Sequence, residues 1–210
     1  MGRMVRFHRF GGADVLKVEQ VATPGPGAGE VRIAVQAIGL NRADALWRQN
    51  LYIEDATLPA GLGNEAAGLI EAVGKGVDGL SVGDRVALLP GANQGLYPTY
   101  GERILFPASH VVRYPGKLSA EQAAGAYMAY LTGYFPMFEM ARLQRGQTVL
   151  VTGASSSTGI AALQMARMAG LLAIATTRTA AKRQALLDAG AAHVVVTQDE
   201  DVVERILALT

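Results

Sequence analysis

The sequence contains no cysteine and only three histidines among its 210 residues. Without cysteine there is no disulfide framework and no thiolate ligand for a metal ion, and the redox compartment cannot be inferred from cysteine use. The formal net charge of +1 creates no field that would attract nucleic acid or an anionic membrane. No apolar run approaches the roughly 18 residues of a membrane span, and the N-terminus lacks the apolar core of a signal peptide. These absences indicate no nucleic-acid or membrane partner, and we expect a cytoplasmic location.

Apolar residues, in contrast, are abundant. They make up 50% of the chain while only 18% is charged, which predicts a large buried core or a buried interface. The first part of the chain is rich in strand signals, and Val31–Ile38 alternates apolar and polar residues as a half-buried strand does. Turn signals such as Gly74-Lys-Gly76 separate shorter strands. These are expected at 5–10, 16–21, 66–73, 85–89, 102–106 and 110–114.

The hydrophobic period changes after residue 117. Ser119 and Gln122 have the spacing of a capping box, and a helical pattern follows to Gly146, with a break expected at Thr132-Gly133. Strands then alternate with helices, which predicts βαβ units and a parallel sheet. The strands are expected at 149–152, 171–176 and 193–197, and the helices at 159–169, 180–189 and 199–209. We therefore predict an α/β protein with a β-rich domain over 1–117 and one half of a doubly wound domain over 118–210. Because dinucleotide folds usually have two βαβαβ halves, the chain is expected to be a fragment or to obtain the other half elsewhere.

The first of these strands leads into a turn of very small residues and a helix expected to begin near Gly159. Backbone N–H groups and a helix N-terminus converge at such a turn, where a phosphate can bind. The Gly-x-Gly-x-x-Gly fingerprint falls on Ala154, Ser156 and Gly159, so only its last glycine is present. Ser156 can still donate its N–H, and its hydroxyl adds a donor. The residues predicted to contact a nucleotide are Ala154, Ser155, Ser156, Ser157, Thr158, Gly159 and Ile160. The alternative is an ordinary strand–turn–helix of an α/β core.

The end of the second strand indicates which nucleotide is bound. An NAD site usually places an acidic residue there, about 20 residues after the turn, against the ribose hydroxyls. No acidic residue occurs between Val149 and Asp188. The strand end instead carries Thr177, Arg178, Thr179 and Lys182. Charge-assisted hydrogen bonds from such groups suit a 2′-phosphate, so we predict NADPH rather than NADH. The alternative is that they are solvated residues at the start of the next helix.

Several segments follow one another in an informative order along the chain. They are Gly39–Asp44, Gly61–Gly68 (Gly-Leu-Gly-Asn-Glu-Ala-Ala-Gly), Val73–Val77 and Val82–Val86. Together with the phosphate turn, they resemble the medium-chain dehydrogenase/reductase superfamily, and within it the zinc-free quinone oxidoreductases, the zeta-crystallin-like proteins. The resemblance covers essentially the whole chain. It implies a GroES-like N-terminal domain followed by a partial Rossmann domain that binds NADP.

The same resemblance implies that no zinc is bound. Zinc alcohol dehydrogenases of this superfamily have a cysteine at the position of Asn41, a histidine at Asn64 and a third ligand near Met128. A catalytic zinc needs about three ligands of the Cys, His or carboxylate type, and none of these three residues is one. Ala43 occupies the position of the hydroxyl that relays a proton in the alcohol dehydrogenases. The resemblance therefore implies a metal-free reductase.

Residue roles follow from the resemblance as well. Asn41 is expected beside the nicotinamide, Asp44 is expected to orient it, and Tyr52 is expected to line the substrate cleft. Thr132 matches a residue near the nicotinamide end of the cofactor, and Arg42 one that approaches the pyrophosphate. The alternatives are that Asn41 is only the N-cap of a helix over 42–49 and that Tyr52 is a core residue.

The implied reaction is hydride transfer from NADPH to a small acceptor, either a quinone or an α,β-unsaturated carbonyl. The Asn41 amide and Tyr52 are the candidate donors to the acceptor oxygen, and Tyr52 or water would supply the proton. A homodimer is an assembly that the resemblance allows. Three rivals remain open: a non-catalytic, crystallin-like NADPH-binding protein, a β-rich interaction module, and a short-chain dehydrogenase. The last requires a Tyr-x-x-x-Lys motif that this sequence lacks.

Overall fold

The computed structural model describes residues 1–210. Its contacts divide the chain into two units, 1–128 and 129–210. The first unit holds a two-stranded and a five-stranded antiparallel sheet, and the second holds a parallel three-stranded sheet. The predicted α/β class, with a β-rich part followed by a partial doubly wound part, is thus confirmed. The boundary after residue 117 remains a prediction, and helix 120–124 packs against strands of the first unit.

Ten strands and six α-helices form the chain. The strands are β1 (Gly2–Arg6), β2 (Lys17–Val21), β3 (Glu30–Ile38), β4 (Ala66–Val73), β5 (Arg85–Leu88), β6 (Arg103–Pro107), β7 (Val111–Arg113), β8 (Thr148–Val151), β9 (Leu172–Thr177) and β10 (His193–Val196). The helices are α1 (Arg42–Arg48), α2 (Ala120–Ala124), α3 (Tyr127–Tyr134), α4 (Ser157–Ala169), α5 (Arg183–Ala189) and α6 (Val202–Leu207). None of the helices is long and apolar enough to cross a bilayer.

The five-stranded sheet has the order β6-β3-β4-β5-β7. Its longest strand, β3, lies between β6 and β4 and buries Val31 and Ile33 completely while Arg32 between them is half-exposed, as the alternating pattern predicts. The core beneath this sheet consists of Val31, Ile33, Ala66, Ile70, Val86, Leu88, Ile104, Phe106 and Val111. Strand β3 ends at Ile38, where the alternating pattern predicted it to end. The fold therefore fixes the position of the segment that follows Ile38.

The first strand is shifted from its expected position. It spans Gly2–Arg6 instead of 5–10, and Arg6 pairs with Lys17 of β2. Phe7 leaves the ladder and forms an isolated bridge with Ala60. Its side chain is fully buried in a second cluster with Trp47 and Leu62, and this burial ends the strand earlier than the alternation suggested.

The parallel sheet of the second unit has the order β10-β9-β8. Helices α4 and α5 connect its strands and pack on them through a shared apolar core. Helix α4 begins at Ser157, two residues before the expected start, because Ser156 caps it by accepting the Gly159 N–H at 3.1 Å. The helix ends at Ala169, and its C-cap is Gly170, which has a left-handed conformation with φ of 71°.

The expected helix break at Thr132-Gly133 is wrong. Helix α2 ends at Ala124 with Gly125 as its C-cap, and α3 continues through Gly133 into a π-helix over Phe135–Met140. Gly133 is buried, and a Cβ there would lie 2.7 Å from the Met165 methyl carbon. This glycine serves helix packing rather than helix termination.

Candidate active site

Asn41 lies where the chain leaves β3 and enters α1. It has an extended conformation, and it forms a capping box with Asp44. The Asn41 backbone N–H donates to Oδ2 of Asp44 at 2.9 Å. Both roles weighed for Asn41 are therefore compatible, because its side chain takes part in the capping box at the start of the helix while its Nδ2 is directed to another partner.

That partner is Glu65, a fully buried residue at the start of β4. Nδ2 of Asn41 donates to Oε1 of Glu65 at 2.9 Å, and the backbone N–H of Met128 donates to Oε2 at 2.9 Å. Gly39 makes room for this carboxylate, since a Cβ at residue 39 would lie 2.3 Å from Oε1 of Glu65. Glu65 thus connects the end of β3, the start of β4 and the start of α3.

Asp44 is the centre of a second set of hydrogen bonds. Besides the Asn41 N–H, it accepts from Nδ2 of Asn64 at 3.1 Å and from the Tyr100 hydroxyl at 3.0 Å. Asn64 also donates to Oε1 of Gln94 at 3.3 Å. Gln94 is buried, and its Nε2 has no partner. The six side chains form one polar cluster, which we call the carboxylate cluster: Asn41, Asp44, Asn64, Glu65, Gln94 and Tyr100.

Burial controls the ionisation of this cluster. Desolvation raises the pKa of Asp44 above its ordinary value, although hydrogen bonds from Asn41, Tyr100 and Asn64 oppose the shift. Desolvation also raises the pKa of Glu65, and the neighbouring Asp44 charge adds to it. Burial and the Asp44 charge together raise the pKa of the Tyr100 hydroxyl, so Tyr100 stays a protonated donor near neutral pH.

The carboxylate cluster offers poor ligands for zinc. No group of three or more His, Asp or Glu side chains lies close enough to hold a metal ion anywhere in the chain. Asn41 and Asn64 contribute amide groups, and their Nδ2 atoms already donate to carboxylates. The donors present are those of a hydrogen-bonded polar site rather than those of a tetrahedral metal site.

Two other expected residues of the first unit lie outside the cluster. Arg42 is the exposed first residue of α1. Tyr52 is half-buried and meets the Trp47 ring edge-on, with ring centroids 6.4 Å apart. Tyr52 packs against the apolar cluster around Phe7 and Trp47. This is the core position that was the alternative to a role in the substrate cleft.

The phosphate turn lies between β8 and α4. The Ser156 N–H donates to the Gly153 carbonyl at 2.9 Å, and the Ala154 N–H to the Thr176 carbonyl at 3.3 Å. These two N–H groups, including the one expected from Ser156, are therefore engaged within the protein. The N–H groups of Ser157 and Thr158 begin α4 and have no intrahelical acceptor, so they are the donors left for an anion.

Gly159 has a structural reason to be glycine. A Cβ at this position would lie 2.5 Å from the Cα of Ala154, closer than real Cβ contacts. Ala154 is itself fully buried. The retained glycine of the fingerprint is thus the one that lets the helix pack against the turn.

A cavity of about 370 Å³ opens beside this turn at the carboxyl end of β9. Nζ of Lys182 donates to Oγ of Ser155 at 3.0 Å across it, and Arg178 is exposed at its rim. The lining residues are Gly153, Ser155, Thr176, Thr177, Arg178, Thr179, Lys182 and Thr197. The cavity brings together four predicted residues of the strand end and Ser155 of the turn. Thr197, which follows β10, was not anticipated.

A second cavity of the same unit contains Thr132, another residue predicted to contact the cofactor. It is lined by Thr132 and Gly133 of α3, by Thr158 of α4 and by Thr148–Thr152 along β8. Thr132 and Thr158, both predicted to contact the cofactor, therefore share a cavity. Ser157, Gly159 and Ile160 lie at the start of α4 without lining either cavity.

Sequence reasoning missed Glu65, Tyr100 and Gln94. Glu65 stands inside a segment already singled out, Gly61–Gly68, so an acidic residue directly before two alanines in an otherwise apolar stretch was the available signal. Tyr100 and Gln94 lie more than 45 positions from Asp44 in a loop-rich stretch, and no local pattern relates them to it.

Comparison with known proteins agrees with this geometry. The family described as the alcohol dehydrogenase GroES-like domain matches residues 27–132, half of the chain. Quinone oxidoreductase 1 of Escherichia coli is 34% identical over 210 residues. The crystal structure of Pseudomonas syringae quinone oxidoreductase superimposes with a TM-score of 0.91 at 33% identity, over 100% of this chain and 63% of that one. The E. coli quinone oxidoreductase complexed with NADPH gives a TM-score of 0.90 at 32% identity, over 99% and 62%.

The match extends over the whole of this chain but over part of its relatives. The chain spans 63% of the length of the E. coli quinone oxidoreductase 1. Both units take part, since the superpositions include the antiparallel sheets as well as the parallel sheet. The chain belongs to the alcohol dehydrogenase GroES-like family and to the quinone oxidoreductase branch of the medium-chain dehydrogenase/reductase superfamily.

Proposed function

We propose that this protein binds NADPH and reduces a quinone or an α,β-unsaturated carbonyl compound without zinc. The observation that carries the proposal is the cavity at the end of β9, where Lys182 reaches Ser155 of the phosphate turn. An acidic residue at this place would favour the ribose hydroxyls of NADH, whereas the two cations Arg178 and Lys182 favour a 2′-phosphate. The relatives support the choice, since one was crystallised with NADPH.

The residues present fit this cofactor. Arg178, Thr179 and Lys182 would hold the 2′-phosphate, and the N–H groups of Ser157 and Thr158 would hold the pyrophosphate. When bound, NADPH supplies the hydride. Thr132 is assigned to the nicotinamide end, and Arg42 to the pyrophosphate.

The first unit supplies the polar groups for the acceptor. Asn41 has a second amide hydrogen beyond the one donated to Glu65, and this hydrogen would bind the acceptor oxygen as it gains negative charge. Tyr52 would line the acceptor site and donate the proton, directly or through water. The amide groups of Asn41 and Asn64 at the zinc-ligand positions support metal-free chemistry. The homodimer and the cytoplasmic location are further proposals from the family resemblance.

Nucleotide titration tests the proposal first. The purified chain is titrated with NADPH and separately with NADH, following nicotinamide fluorescence, and NADPH is expected to bind at least tenfold more tightly. Lys182→Ala should weaken NADPH binding about tenfold, or 1.4 kcal/mol, and leave NADH binding nearly unchanged. The matched control is Lys117→Ala, because Lys117 is exposed outside the cavity. Equal affinity for the two nucleotides would contradict the 2′-phosphate assignment.

Steady consumption of NADPH with a short-chain benzoquinone or an enone then tests the reaction. Binding without consumption would favour the non-catalytic, crystallin-like alternative. That alternative has one observation in its support, since the N–H of Ser156 is engaged within the turn and one potential donor to the pyrophosphate is lost.

A further inference from the structure

We propose that Glu65 is a positioning residue that fixes which end of the Asn41 side-chain amide is presented to a ligand. The inference deepens the proposed function, because Asn41 is there the donor to the acceptor oxygen. The part of the inference that concerns structure is that Glu65 sets the orientation of the Asn41 amide. This part does not depend on a bound cofactor.

The geometry leaves the Glu65 carboxylate little freedom. One oxygen accepts from Asn41 Nδ2 and the other from the Met128 backbone N–H, each at 2.9 Å. The Gly39 backbone closes a third side, because even a Cβ there would overlap the carboxylate. Glu65 is only 3% exposed, so water does not compete for these oxygens.

An ionised carboxylate accepts hydrogen bonds and donates none. As long as Glu65 is charged, the Asn41 amide must turn its NH₂ group toward it. One amide hydrogen is then held by Glu65 and the other remains for a ligand. The two ends of an asparagine amide have nearly the same shape, so packing alone would not select this orientation.

Glutamine at position 65 would reverse the orientation of the Asn41 side-chain amide. Its single oxygen is needed by the Met128 N–H, whose direction is set by the backbone. Its NH₂ group then faces Asn41, and Asn41 must turn its carbonyl oxygen inward to avoid a donor–donor contact. Glu65→Gln keeps the volume and the number of hydrogen bonds but inverts the Asn41 amide.

Side-chain amide NMR spectra of the full chain test this inversion without any cofactor. Asn41→Asp identifies the Asn41 Nδ2 signals by their loss. In the wild type these signals should shift as Glu65 is titrated, and in Glu65→Gln their positions should change and this pH dependence should disappear. Asp44 and Tyr100 are the other titratable groups facing Glu65, and both remain in the variant, so any residual shift belongs to them. Glu71→Gln, on the same strand but paired with Arg32 and Arg103, should leave the signals unchanged.

Unchanged Asn41 signals in Glu65→Gln would overturn the proposal. If that variant does not fold, the exchanged pair Glu65→Gln with Asn41→Asp is used, since its new carboxylate accepts from the glutamine NH₂. The exchanged pair should recover the thermal stability of the wild type. An exchanged pair that also fails to fold would overturn the proposed hydrogen bond.

Kinetics measure the consequence for the reaction. Glu65→Gln should lower kcat about tenfold with little change in KM for NADPH, and the exchanged pair should recover stability but not kcat. Because Asn41→Asp removes the donor amide itself, Glu65→Gln alone decides the role of Glu65: a purely structural Glu65 would lower thermal stability and leave the kcat of the folded variant unchanged. A wild type that binds and reduces nothing would contradict the proposed function, while the NMR result would still decide whether Glu65 orients Asn41.

Discussion

The polar groups of the two candidate sites have different partners before any ligand arrives. In the first unit, both oxygens of Asp44 and of Glu65 accept hydrogen bonds from the protein itself. In the second unit, the N–H groups of Ser157 and Thr158 lack intrahelical acceptors, and Lys182 contacts only an exposed hydroxyl. The carboxylate cluster is therefore held in place by the fold, whereas the phosphate turn keeps donors available for an anion.

This contrast has an energetic meaning. Buried polar groups contribute to stability only when their partners are present, so damage to the carboxylate cluster should appear in the free energy of unfolding. Damage to exposed groups at the phosphate turn should appear in nucleotide affinity instead. Stability and affinity measurements together can separate the two regions.

The largest expected effect is a loss of stability when the carboxylate cluster of the first unit is disrupted. Asp44→Ala removes the acceptor of three donors, the Asn41 N–H, the Asn64 amide and the Tyr100 hydroxyl. Leaving them unpaired should lower the free energy of unfolding by about 3 kcal/mol, measured by urea denaturation. Asp14→Ala, at an exposed pair with Arg9, is the control and should change it little. An equal loss in both variants would show that the cluster does not contribute as a buried network.

The next effect breaks packing in the second region without removing a polar group. Gly159→Ala places a Cβ against the Ala154 backbone and should cost about 2 kcal/mol of unfolding free energy and weaken NADPH binding. Gly125→Ala is the control, because its Cβ would meet the Glu121 carbonyl at an ordinary 3.5 Å. A stable Gly159→Ala that binds NADPH normally would mean that the turn moves aside at low cost.

The smallest expected effect is a difference between the two units in how stability depends on pH. Because burial raises the pKa of Asp44 in the folded state, its contribution to stability falls as pH rises from about 4 through that raised pKa. Glu200 in the second unit behaves oppositely, since the Val196 N–H and Arg183 lower its pKa, and its contribution is lost as pH falls below about 4. The stability difference between wild type and Asp44→Asn should shrink with rising pH, while that for Glu200→Gln should grow. Urea denaturation at several pH values measures both, and slopes of the same sign would contradict the assignment.

The sequence predicts features that depend on neighbours in the chain. The α/β order, the capping box at Ser119 and the cationic end of β9 were all expected, because each depends on residues a few positions apart. Asp44 was expected to orient Asn41, and the structure places its carboxylate on the Asn41 backbone N–H rather than on the side chain. The side chain is held by Glu65, 24 residues away.

Other features depend on contacts that are distant in sequence. The fold brings the side chains of Tyr100 and Gln94 to the carboxylate cluster from distant positions in the sequence. No periodic pattern of residues predicts these contacts. Gly133 was taken for a helix break, but its lack of a side chain is used to admit Met165. The same residue type therefore has a local meaning in one place and a tertiary meaning in another.

Gly159 also bears on how the lineage of this chain can be interpreted. Its φ angle is ordinary, and steric contact with Ala154 alone demands glycine. A descendant that had lost its nucleotide would still be under selection to retain this residue, because its loss would lower the stability of the fold. The residues that would drift first in such a descendant are the exposed cations Arg178 and Lys182. Their presence or absence, rather than that of the glycine, is the trait to follow when nucleotide use is traced among related chains.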